Sequence, residues 1–108
     1  MEAARLVLIV TQEVRQTDAG GFARYEAKAV ELMARHGGRM ERVIRVQGER
    51  GDGMFREVHL VSFPDEVAFE AYRQDPALVA LRGLRERTVS STAILRGHDI
   101  SSPGGVPQ

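Results

Sequence analysis

Glu57 and His59 stand two residues apart in the run Phe55-Arg56-Glu57-Val58-His59-Leu60-Val61-Ser62-Phe63. In an extended chain alternate side chains share a face, so the carboxylate and the imidazole lie side by side. A neighbouring carboxylate holds one imidazole tautomer and raises its basicity. The pair therefore has the composition of a general base, with His59 as the catalytic group and Glu57 behind it. The competing reading is a buried histidine paired across a subunit interface or with a neighbouring strand.

Other side chains are candidate ligand contacts. His36 ends an apolar helical stripe and could rim a pocket; at a helix C-terminus it also suits the helix dipole. Tyr72 and Tyr25 lie on core-facing stripes, where a phenol can donate to a ligand or simply pack with its hydroxyl at the edge. Arg56 alternates with Val58 and Leu60. An arginine on such a face takes a carboxylate partner or clamps an anionic ligand. His98 falls in the tail and is expected in solvent. Three histidines so scattered have no metal-ligand spacing, and neither a metal nor a cofactor is expected. Gly48, Gly51 and Gly53 do not make a phosphate loop, because a strand and not a helix N-terminus follows them.

The elements that must position these residues are readable from periodicity and punctuation. Leu6 to Val10 is an unbroken apolar run, which predicts a strand over Arg5–Gln12 covered on both faces. Asp18 is a plausible N-cap for a helix carrying Phe22, Tyr25, Ala29, Leu32, Met33 and His36, stopped by Gly37 in the left-handed conformation. Met40–Gly48 reads as a second strand whose Arg42 and Arg45 suit a sheet edge, and Gly48–Gly53 as a hairpin turn. The third strand ends at Phe63, before Pro64. Asp65 caps a helix bearing Val67, Ala68, Phe69 and Tyr72. Asp75-Pro76 opens a further helical run with Leu78, Leu81 and Leu84. Arg82, Arg85 and Arg87 near its end complement the dipole, and Thr88–Arg96 holds the last strand.

This order is β-α-β written twice, which predicts an α+β, ferredoxin-like β-α-β-β-α-β sandwich over residues 1–96. The Gly/Pro/Ser-rich stretch 97–108 reads as a tail. Two helical layers on one face leave the first and third strands with apolar side chains on the other. A second copy is the simplest cover, so a two-fold homodimer with sheets face to face is expected.

Composition narrows the function classes. The 108 residues make one domain with a net charge of zero, so no basic field draws nucleic acid or an anionic membrane. Fourteen of the fifteen basic residues are arginine, a bias that fits GC-rich coding better than a binding surface. With no cysteine, disulfides and thiolate metal sites are excluded. The start lacks the apolar length of a secretion signal and no run approaches a membrane span; a cytoplasmic protein is expected. An RNA-recognition module shares the element order, but Val58 and Leu60 occupy the places where its stacking rings belong, and the first strand has no aromatic residue.

The pattern Tyr25…Arg35-His36-Gly37-Gly38-Arg39, Phe63-Pro64-Asp65, Tyr72-Arg73-x-Asp75-Pro76 and Leu81-Arg82-x-Leu84-Arg85 resembles a family of small uncharacterised bacterial proteins. That family lies in the dimeric α/β-barrel, ferredoxin-like superfamily, and the resemblance runs from about Leu6 to Leu95. It implies a face-to-face dimeric α/β barrel with a small pocket between sheet and helices. Arg85 matches an arginine of the family's last helical segment, which implies an anion contact as the alternative to a surface charge. The superfamily includes antibiotic-biosynthesis-type monooxygenases, muconolactone isomerase-like enzymes, chlorite dismutase-like proteins and haem-degrading enzymes. The last use a Trp that this chain lacks. The expected function is therefore a cofactor-independent oxygenase or isomerase acting on a small apolar metabolite. The alternative is a dimer that binds a small molecule, or serves structurally, without catalysis.

Overall fold

The computed structural model describes residues 5–47 and 52–101. Four strands and four helices follow in the order β1 (Leu6–Arg15), α1 (Ala19–Arg35), β2 (Arg39–Arg45), β3 (Met54–Phe63), α2 (Glu66–Gln74), α3 (Pro76–Val79), α4 (Arg82–Thr88) and β4 (Val89–Gly97). The strands form one sheet in the order β2-β3-β1-β4, every neighbouring pair antiparallel. This is the ferredoxin-like α+β arrangement, with the second helical layer broken into three short pieces.

Local chemistry sets most boundaries. Asp18 accepts from the Gly21 backbone N–H and opens α1. Gly37 adopts φ +73°, and Gly38 N–H reaches back to the Met33 carbonyl at 2.8 Å, which closes the helix as a Schellman turn. A Cβ on Gly38 would lie 2.6 Å from Phe63 Cε1, so this turn can seat directly on the end of β3. Asp65 accepts from Ala68 N–H at 2.9 Å and Asp75 from Ala77 N–H at 2.9 Å. Thr88 bonds back to the Leu84 carbonyl and α4 gives way to β4.

β1 runs to Arg15, three residues beyond the Gln12 expected from the apolar run. Val14 explains the extension: it is fully buried, and it pairs with Phe55 on one side and Val89 on the other. The predicted hairpin turn falls largely on residues 48–51, outside the described residues, as does the tail from residue 102 on. β2 is exposed at every position but Met40, as its charged composition predicts for an edge.

Register divides the sheet into two faces. Leu6, Leu8, Val10, Gln12 and Val14 of β1 stand opposite Phe63, Val61, His59, Glu57 and Phe55 of β3, and these ten point to the helices. Their neighbours Val7, Ile9, Thr11, Val58 and Leu60 form the other face, which no helix of the described chain covers. Leu95 and Ile44 continue it on the flanking strands. Ile9, Ile44 and Leu95 are 38, 45 and 67 % exposed.

The helix side holds two packed clusters. One gathers Leu8, Leu32, Met33, Val61, Phe63, Phe69 and Tyr72; the other gathers Val14, Phe22, Tyr25, Ala29 and Val89. Leu78 and Leu81 touch both. Gln12, Glu57 and His59 are the polar residues buried between them along the central strands.

Candidate functional site

A cavity of about 370 Å³ opens at that seam between sheet and helices. β1 and β3 supply its floor through Leu8, Val10, Gln12, His59, Val61 and Phe63. One wall is α1, with Tyr25, Glu26, Ala29 and Met33; the other is Phe69, Tyr72, Leu78 and Arg85 from the second helical layer. Thr92 and Ile94 of β4 close the side. The size and the apolar lining with a few converging polar groups are those of a small-molecule site.

His59 is 2 % exposed and its ring is held between two carboxylates. Nε2 lies 2.9 Å from Glu57 Oε1 and Nδ1 lies 3.6 Å from Glu26 Oε2. A carboxylate only accepts, so Nε2 carries the proton it donates to Glu57, and Nδ1 is turned toward Glu26. Glu57 is fixed in turn by Arg45, whose Nε and second guanidinium nitrogen donate to Oε2 at 3.1 and 2.7 Å. Arg45 itself rests 4.0 Å over the Phe55 ring. The chain of groups runs Arg45–Glu57–His59–Glu26 from the sheet edge into the cavity.

Burial pushes the Glu26 carboxyl above its ordinary value of 4.5; His59 opposes the shift, Glu57 adds to it and a hydrogen bond from Gln12 opposes it. The folded chain therefore holds this proton more tightly than the unfolded one. The stability that it contributes is fully present below about pH 4 and is lost as pH rises through the raised folded value. Glu26→Gln, neutral throughout, should melt higher than the parent near pH 7.5 and lose that advantage near pH 4. Melting curves at the two pH values check this; a difference independent of pH would refute it.

Both tyrosines face the cavity. Burial raises the Tyr25 phenol, with Arg85 beside it pulling the other way. Burial raises Tyr72 strongly, aided by Tyr25 and Glu26. Both are therefore protonated donors at neutral pH. Arg85 donates to Thr92 Oγ1 at 2.6 Å and to the Tyr25 hydroxyl.

The structure thus brings His59, Tyr72 and Arg85 to one cavity, with Glu57 directly behind His59. His36 and Arg56 lie elsewhere. His36 donates to Asp75 at 2.9 Å and its ring stands edge-on to Tyr72; it ties the end of α1 to the α2–α3 corner and lowers the Asp75 carboxyl, first through that hydrogen bond and then through the Ala77 N–H. Arg56 points to the open sheet face, where it pairs with Glu13 at 2.6 Å; strand alternation puts it opposite to Glu57. Two residues escaped the sequence reading, Glu26 and Gln12. The signal was present in both. Residues 22, 26, 29 and 33 follow one helical stripe, and Gln12 has the same strand parity as Leu8 and Val10. Among the described residues, no group of three or more His, Asp and Glu could hold a metal ion. No helix among them is long and apolar enough to cross a membrane.

Residues 7–97 match the family model described as "Domain of unknown function (DUF1330)". No curated protein matches the chain. Solved structures with the same fold include a cofactor-independent oxygenase, SnoaB from Streptomyces nogalater, at 13 % identity and TM-score 0.66, covering 94 % of this chain and 98 % of that one. A protein of Nitrosomonas europaea named provisionally as an antibiotic biosynthesis monooxygenase superposes with TM-score 0.69 at 15 % identity, covering 93 and 94 % of the two chains. A protein of unknown function from Rhodopseudomonas palustris gives 0.71 at 16 %, covering 94 and 87 %. At such identities these likenesses establish the shared fold.

Proposed function

The chain belongs to the family of DUF1330 proteins, and from its cavity we propose that it removes a proton from a small, largely apolar metabolite without a cofactor. The observation that carries this reading is His59: it is buried and lines the cavity, with Glu57 bonded to one ring nitrogen and the other turned toward Glu26. A weakly acidic C–H or O–H bond of the ligand breaks, its proton passes to the imidazole, and the electron pair stays on the ligand as an enolate or phenolate. Glu57 keeps the tautomer and stabilises the imidazolium that forms. Glu26, whose carboxyl burial pushes above its ordinary value, stands on the other side of the ring as the group that can return a proton. Return to a different carbon is an isomerisation. Reaction of the enolate with dioxygen as co-substrate is an oxygenation, the activity that the SnoaB protein is named for. Both share the first step.

Deuterium exchange tests it. Enolisable ring ketones, 2-tetralone among them, are incubated in D2O with and without the protein, and exchange is followed by proton NMR. The expected result is exchange faster than buffer. Exchange at the buffer rate for the whole series, with ligand binding intact, would leave a binding protein without catalysis.

The same reading includes a homodimer. The open sheet face carries Val7, Ile9, Val58 and Leu60 at its centre, and a second copy of that face is its natural cover. Light scattering at micromolar concentration should give twice the single-chain mass of 11.9 kDa. Ile9→Arg, which places a charge at the centre of that face, should return 11.9 kDa. A parent protein already at the single-chain mass would refute the dimer.

A further inference from the structure

Gln12 carries a buried acceptor that no described residue uses. The residue is 8 % exposed, its amide nitrogen donates to Glu26, and its Oε1 has no hydrogen-bond partner among the described residues. Buried polar atoms are as a rule paired, and an orphan asks for an explanation. Gln12 lines the cavity on the row Leu8, Val10, Gln12 that faces the helices, so a bound molecule has access to that oxygen.

Arg85 is the complementary group in the same cavity. Its guanidinium meets two neutral hydroxyls, those of Thr92 and Tyr25. Arg45, Arg56, Arg73 and Arg96 each face a carboxylate, whereas among the described residues none forms an ion pair with Arg85. A half-buried guanidinium with donors to spare is a ready partner for an anionic oxygen. Thr92 is the cross-strand partner of Gln12, so the free cation and the free acceptor stand at the same end of the cavity. Cross-strand neighbours lie about 5 Å apart, a span that two substituents on one ring bridge. The rest of the cavity offers that ring Phe63, Phe69 and Tyr72, whose own rings stack at 5.3 Å centroid spacings around Phe63.

We propose that the cavity binds a small aromatic ring bearing an anionic group held by Arg85 and, on the adjacent ring carbon, a hydroxyl that donates to Gln12 Oε1. The inference concerns the same cavity as the proton-transfer reading and names the ligand class for it, but requires no reaction.

The probe is 2-hydroxybenzoate, compared with benzoate and 2-methoxybenzoate by titration calorimetry on the full chain. The hydroxyl acid should bind about tenfold tighter than the other two, the size of one buried hydrogen bond. Gln12→Leu should erase that preference, so that 2-hydroxybenzoate binds no tighter than benzoate to the variant. It removes the unsatisfied Oε1 and also the amide that donates to Glu26, so its melting temperature is recorded beside the binding data. Arg85→Gln should weaken all three acids by about tenfold or more. Equal affinities of the three acids for the parent protein, or a preference that survives Gln12→Leu, would overturn the hydroxyl contact. Unchanged binding in Arg85→Gln would overturn the anion contact, and no binding of any acid at millimolar concentration would overturn the whole. The comparison of acids on the parent protein needs no variant to fold. Tight binding of 2-hydroxybenzoate with no deuterium exchange on any ketone would retain this inference and remove the proton-transfer one; exchange without preference among the acids would do the reverse.

Discussion

His59→Gln should slow protein-accelerated deuterium exchange by about 10²–10⁴-fold, the usual contribution of a positioned general base. Glutamine is the informative replacement. Its amide can still donate to Glu57, so the buried carboxylate keeps a partner and the loss reports chemistry more than folding. Alanine would instead strand Glu57, 6 % exposed, with its Arg45 contacts alone. Glu57→Gln should act more mildly, by about 10–100-fold, because Glu57 orients the base and does not itself touch the ligand. That variant should also shift the pH dependence of exchange, which a merely structural role would leave in place. Equal exchange rates in the parent and His59→Gln would remove His59 from the mechanism. The measurement is the proton NMR time course, with melting temperatures recorded beside it.

Phe63→Ala should cost about 3–5 kcal/mol of stability, the range for a fully buried aromatic truncated to alanine. For a domain whose whole stability is about 5–15 kcal/mol, that is a shift of melting temperature on the order of 20 °C. Phe63 has no solvent exposure. Its ring packs on Phe69 and Tyr72 with centroids 5.3 Å from each, and the Gly38 turn that ends α1 sits against its edge. It therefore joins both helical layers to β3, and few neighbours can move to fill the space it leaves. Val67→Ala, at a residue 78 % exposed, is the control and should stay within about 0.5 kcal/mol of the parent. Urea denaturation of the two variants decides the matter; a Phe63→Ala loss under about 1 kcal/mol would show that the site collapses without strain.

The fold was legible because its boundaries are local events. Gly37, Asp65 and the Asp75-Pro76 step each act within one turn of themselves, and the two apolar strands announce their central places by composition. The Glu57–His59 pair was legible for the same reason, since strand alternation is a property of neighbours in sequence. The remainder of the site depends on contacts between elements. Whether Arg56 finds Glu13 or a ligand depends on the pairing of β1 with β3, and His36 meets Asp75 across 39 residues. Glu26 shares the stripe of Phe22, Ala29 and Met33, and the roll of α1 over the sheet brings it to the cavity. Gln12 looked like the polar end of a strand that in fact continues to Arg15.

The split of the core into two clusters with a cavity at the seam has an evolutionary consequence. Elsewhere in a packed interior a change of side-chain volume is felt as a void or a clash. Here the void already exists, and the helices are anchored by Phe63 on one side of it and by Val14 and Phe22 on the other. Residues that line the space between, such as Val79 and Ile94, can change size by reshaping the hollow, without dismantling either cluster. Sequences sharing this scaffold are thereby free to drift in which molecule they accept while the architecture stays put.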